Sequence, residues 1–145
     1  MENKLKFLDE EHAELMGSLR KLSISGLSTG AAVTDLLTVL EPHFAKEEEI
    51  VMPMLALAQR LAEGDDVSIH SAPRAAKEIE KEYRTMFREH AKIRELAGRS
   101  GEAALAEKNA DAVETINWLS HHAEIEEAIV YPLALLAARL LKCNK

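Results

Sequence analysis

The chain carries one signature twice. His43-Phe44-Ala45-Lys46-Glu47-Glu48-Glu49-Ile50-Val51-Met52-Pro53 returns as His122-Ala123-Glu124-Ile125-Glu126-Glu127-Ala128-Ile129-Val130-Tyr131-Pro132, with the histidine, the glutamate pair, the Ile-Val pair and the proline in matching places. Upstream, Glu11-His12-Ala13 returns as Glu89-His90-Ala91, so the offset is 78 residues for the lone histidine and 79 for the longer segment. The chain reads as a duplicated half. Each copy sets a histidine and a glutamate four residues apart, which on a helix puts imidazole and carboxylate on one face, about 6 Å apart along the axis.

The background in which the repeat sits is helix-forming. Alanine, leucine, glutamate and lysine dominate, while six glycines and four prolines leave few breaks. Leu5, Leu8, His12, Leu15, Leu19 and Leu22 predict a first helix from about Asn3 to Leu22, followed by a loop over Ser23–Gly30. A second helix is expected from Ala31 to Glu63, with Leu36, Leu40, His43, Glu47, Ile50, Met54, Leu57 and Leu61 as its stripe, bends at Pro42 and Pro53, and Gly64 as its stop. After a polar loop over Asp65–His70, Ser71 and Pro73 start a third helix with Ile79, Tyr83, Met86, His90, Ile93 and Ala97 inward, ending at Gly98. Residues 99–108 are open between loop, extra turn and early helix start. The fourth helix begins at Asn109 or Ala110 with Thr115, Leu119, His122, Glu126, Ile129, Leu133, Leu136 and Leu140 inward. Four such helices joined by short loops predict an all-α, antiparallel up-down-up-down four-helix bundle, a single domain over residues 1–145.

Composition removes several function classes. A formal charge of -7 argues against a nucleic-acid or anionic-membrane surface. The start lacks the apolar core of a secretory signal, and the longest apolar run, Ala128–Ala138, is about half a membrane span, so a cytoplasmic location is expected. The single cysteine, Cys143, cannot form an internal disulfide or a cysteine-rich metal site. No phosphate-binding glycine loop, dinucleotide fingerprint or nucleophile triad is present.

One histidine on an apolar seam is ordinarily a hydrogen-bonded core residue, and one His-x-x-x-Glu pair is ordinarily a helix-stabilising contact. Here His12, His43, Glu47, His90, His122 and Glu126 all fall on predicted seams, in register under the duplication. No seam lysine or arginine is there to neutralise the glutamates. Buried carboxylates without a partner are costly, so a bound cation is the expected compensation. Two metals fit the inventory: two histidines each, both glutamates bridging, an oxo or hydroxo bridge between them, and a sixth position open to a small molecule.

The pattern resembles the hemerythrin-like, His-His-Glu cation-binding domain family over nearly the whole chain. His12, His43, Glu47, His90, His122 and Glu126 fall on the family motif, as does the proline six residues beyond each glutamate. The resemblance implies a four-helix bundle holding two non-haem iron ions, with other divalent metals as alternatives, and a small diatomic molecule or peroxide as partner. It differs from ferritin-like di-iron proteins, whose motif is Glu-x-x-His. Oxygen-carrying hemerythrins place a fifth histidine where this chain has Met86. That departure moves the expectation from reversible oxygen carriage toward four-histidine relatives, including those linked to iron-sulfur repair, although the cysteine-bearing N-terminal segment usual in those is not expected here.

Three readings follow. The first is a protein that binds or reacts with O2, NO or peroxide for sensing, storage, stress defence or iron handling, with a redox partner possible. The second is a di-iron enzyme turning over peroxide or oxidising ferrous iron, and the third a helical interaction bundle with a structural zinc. Glu48 and Glu127 are weighed as supporting contacts or extra ligands but are expected foremost to be solvated, and His70 and His121 to face solvent. Tyr83, Tyr131, Met86 and Trp118 are expected to be core residues, with Tyr83 the foremost candidate to approach the site.

Overall fold

The structure is a computed structural model that describes residues 6–25 and 27–143. Every regular element is helical, and no strand occurs among the described residues. Helix α1 spans Lys6–Ser23, α2 Ser28–Ala62, α3 Pro73–Ala106 and α4 Ala110–Ile125. A five-residue π turn, Glu126–Val130, carries α4 on into α5, Tyr131–Cys143, and a 3-10 turn, Ile69–Ser71, precedes α3. The expected contribution of Asn3 and Leu5 to α1, and the side chain of Cys143, lie outside the described residues.

Local chemistry explains most boundaries. Asn109 caps α4 by accepting the Ala112 N–H at 3.1 Å, and Gly64 leaves α2 at a positive φ of 85°. Leu27 offers α2 no side-chain cap, and Glu107, from the far end of α3, does the work instead. Its carboxylate accepts the Thr29 N–H at 3.2 Å and the Thr29 hydroxyl at 2.7 Å. Gly30 suits close packing, because a Cβ there would lie 2.7 Å from Ser25 Oγ, which would have to turn away, and 3.0 Å from the Ser23 carbonyl. Across Pro42 and Pro53, α2 is one element, with Leu36, Leu40, His43, Phe44, Glu47, Ile50, Val51 and Met54 all buried.

Two expectations are corrected. Helix α3 does not stop at Gly98 but runs to Ala106, because Ser100 and Ala104 continue its buried face. A glycine inside a helix costs only about 1 kcal/mol, which that packing offsets. In the last helix the expected stripe is out of phase. Ile116, not Thr115, is buried in α4, and Ile129, Leu133, Leu136 and Leu140 are 59%, 43%, 53% and 50% exposed. Val130, Tyr131, Ala134, Ala137, Ala138 and Leu141 are buried in their place. Beyond Glu126 the cause is the π turn, in which the Tyr131 N–H reaches the Glu126 carbonyl five residues back, so that this turn takes up one residue more than an α turn and rotates all that follows.

The interior has two apolar layers. One gathers Ile50, Val51, Met54, Leu55, Ala76, Ile79, Met86, Val130 and Ala134. The other gathers Leu15, Leu19, Leu36, Leu40, Phe44, Ile93, Leu96 and Leu119. Between them lies a polar layer. Among the described residues no helix is long and apolar enough to cross a membrane.

Candidate metal centre

The polar layer consists of the six residues singled out by the repeat. His12 from α1, His43 and Glu47 from α2, His90 from α3, His122 from α4 and Glu126 from the π turn are all buried, none more than 3% exposed. Their donor atoms form two groups, His12-Glu47-His122-Glu126 and His43-Glu47-His90-Glu126, each with all ligand atoms within 4.8 Å of one another. The glutamates belong to both groups. The histidines pair across the duplication, with His12 Nε2 3.0 Å from His122 Nε2 and His43 Nε2 3.0 Å from His90 Nε2.

Three of the four rings are oriented from behind by carboxylates. His122 Nδ1 lies 2.9 Å from Glu11, His43 Nδ1 3.3 Å from Glu89, and His90 Nδ1 3.1 Å from Glu127. An Nδ1–H donated to a carboxylate leaves Nε2 to hold either a proton or a metal ion, and these contacts turn the Nε2 atoms of His43, His90 and His122 toward the shared interior. Two Nε2 atoms facing each other at 3.0 Å repel unless a proton or a metal ion lies between them. His12 has no carboxylate behind it: its Nδ1 is buried without a hydrogen-bond partner, and its ring stacks on Phe44 at 4.0 Å.

The supporting carboxylates are themselves held. Lys46 binds Glu89 at 3.0 Å and Glu82 at 3.1 Å, Arg94 binds Glu127 at 2.7 Å, and the Trp118 indole N–H donates to Glu11 at 3.2 Å. Glu11 and Glu89 stand in the repeat only as the residues preceding the lone histidines, and the histidine each touches is a different one. Glu11 and Glu89 reach across to the histidine of the neighbouring helix. Glu127, expected to be solvated, supports His90 instead, whereas its counterpart Glu48 is exposed as expected. His70 and His121 are also exposed.

Tyr131 enters the layer because of the π turn. Fully buried, its hydroxyl donates to Glu47 Oε1 at 2.6 Å and lies 2.9 Å from His90 Nε2 and 3.1 Å from His43 Nε2. Tyr83, the foremost expectation, packs against Phe87 at the edge of the apolar layer. Met86 is fully buried among apolar neighbours and brings no nitrogen donor.

Electrostatics describe a cluster that attracts cations. Burial alone would lower the pKa values of His12 and His90, but Glu126 and Glu47 outweigh it and raise both to about 9. His122 is also raised, against burial, by Glu126 and Glu11. Burial would raise the Glu47 pKa, yet Glu126 together with His12, His43 and His90 holds it well below the ordinary carboxylate range. Glu47 Oε2 is nonetheless buried without a hydrogen-bond partner. His12 Nε2 approaches that oxygen to 3.3 Å without the alignment of a hydrogen bond, and a carboxylate oxygen so placed amid inward imidazole nitrogens is a donor set suited to first-row metal ions, which the residues fit.

No curated protein and no solved structure matches the chain. The sequence model of the hemerythrin HHE cation binding domain matches residues 3–134, nearly the whole chain. With that match and the buried His/Glu cluster, the chain belongs to the hemerythrin HHE cation-binding domain family.

Proposed function

We propose that the chain is a single-domain, up-down-up-down four-helix bundle whose His12, His43, Glu47, His90, His122 and Glu126 hold a non-haem di-iron centre that binds or reacts with O2, NO or peroxide. The observation that carries this reading is the pair of four-residue donor groups sharing Glu47 and Glu126. One shared pair of carboxylates between two pairs of imidazoles suits two adjacent ions rather than one. The clustering of early α2 residues, Leu36 and Leu40, with the late α3 residues Ile93 and Leu96 supports antiparallel neighbours, as does that of Met54 and Leu55 with Ala76 and Ile79.

Bound there, iron would supply a redox-active Lewis acid with room for an exogenous ligand. The protein's own part is to fix the donors and keep the layer dry. Glu11, Glu89 and Glu127 set the tautomer and angle of three imidazoles, a type of support that commonly raises metal affinity 10–100-fold. The apolar layers above and below exclude bulk water and so strengthen every charge interaction between them.

The test is metal analysis of protein purified without added metal, followed by anaerobic reduction and stopped-flow exposure to O2 and to NO. About two irons per chain and a rapid visible absorbance change are expected. A chain carrying zinc alone, spectrally silent toward both gases, would overturn the proposal.

A further inference from the structure

We propose that Tyr131 is a fifth protein donor to one of the two metal positions, the one defined by His43 and His90, so that the two positions are chemically unequal. This inference rests on the di-iron reading above and adds a ligand to it.

The geometry carries it. Two ligands about 2.1 Å from one first-row ion, at right angles, lie about 3 Å apart. His43 Nε2 and His90 Nε2 are 3.0 Å apart, and the Tyr131 hydroxyl stands 3.1 Å and 2.9 Å from them and 2.6 Å from Glu47 Oε1. The phenol oxygen therefore occupies a vertex of the same donor polyhedron. It makes no hydrogen bond with His12 or His122 among the described residues.

The duplication supplies an internal comparison. The residue matching Tyr131 is Met52, followed by Pro53 as Tyr131 is by Pro132. Helix α2 has no π turn, so Met52 stays at the edge of the apolar layer, partly exposed. Only in the second half does the wider turn after Glu126 swing this position inward. Single π turns inside helices recur at functional sites because they re-aim one side chain at the cost of one regular hydrogen bond.

The donor count then becomes His43, His90, Glu47, Glu126 and Tyr131 on one side, and His12, His122, Glu47 and Glu126 on the other. The second position has fewer protein donors and is where an exogenous small molecule has room. Ligation exchanges the phenol O–H bond for an O–metal bond, and the proton leaves to solvent.

The test loads the full chain with iron, oxidises it in air and records visible and resonance Raman spectra. Wild type should show a phenolate-to-iron(III) charge-transfer band with enhanced tyrosine ring modes. Tyr131→Phe should keep its helical circular dichroism and lose the band, and Tyr83→Phe should keep both. Two bound irons without a phenolate band, or a band that survives in Tyr131→Phe, overturns the assignment alone. A chain that takes up no iron overturns it together with the reading on which it rests.

Discussion

The twin glutamates Glu127 and Glu48 offer a controlled experiment built into the sequence. Each follows the glutamate of its repeat, yet Glu127 reaches His90 Nδ1 at 3.1 Å, while His12 Nδ1, which Glu48 would serve by symmetry, has no partner. Glu127→Ala removes the acceptor that orients His90. Loss of such a contact typically weakens metal binding 10–100-fold, or about 1.4–2.7 kcal/mol. The fold should survive, because Arg94, the other partner of Glu127, is 43% exposed and an exposed ion pair is worth at most about 1 kcal/mol. Glu48→Ala should leave affinity within about twofold of wild type, since exposed charges outside such contacts are nearly neutral. Glu127→Gln keeps an acceptor oxygen and should recover much of the loss. Anaerobic competition for ferrous iron against a chromophoric chelator measures all three. Equal weakening by Glu48→Ala and Glu127→Ala, or no weakening by either, would refute the role given to the Nδ1 contact.

Other outcomes follow from the same layer. His12 and His90 have folded pKa values near 9 against about 6.5 unfolded, so their contribution is fully present below about pH 6.5 and lost as pH rises through 9. Chelator-treated protein should lose on the order of a few kcal/mol between those limits in thermal melts, and a flat or rising profile would contradict the assignment. Adding metal at pH 7 should displace those protons, which calorimetry in buffers of different ionisation enthalpy detects. Glu47→Ala or Glu126→Ala should each reduce metal content to well below two per chain by mass spectrometry, because each carboxylate serves both donor groups. Leu36→Ala, in the apolar layer on the His12 side, should cost about 2–5 kcal/mol in denaturant unfolding while leaving metal stoichiometry unchanged.

The six residues of the polar layer were legible in the sequence because two independent periodicities agree on them. The duplication pairs His12 with His90 and His43 with His122, and the helical spacing puts all four on inward faces. Glu11 and Glu89 were visible as a repeated dipeptide, but the contact each makes is with a neighbouring helix, which no spacing within one helix reveals. Tyr131 was hidden for a different reason. The run from Ala128 to Leu141 is apolar enough to present either of two stripes inward, and regular 3.6-residue periodicity chooses Ile129, Leu133, Leu136 and Leu140. The structure takes the other stripe after the π turn. The end of α3 was missed because Gly98 reads as a stop only while the burial of Ser100 and Ala104 is unknown.

The widened turn between Glu126 and Tyr131 also sets a trade-off for the whole molecule. One extra step in the backbone delivers a phenol to the interior and, by the same rotation, leaves four large aliphatic side chains facing water. Substitutions that returned the segment to a regular α-helix without changing its length would turn those side chains toward the interior and make the chain more robust to heat and less adhesive, while withdrawing the phenol from the imidazoles. Variants selected purely for durability should therefore converge on that regular helix, and their gain in ruggedness would come with the loss of whatever reactivity the phenol confers.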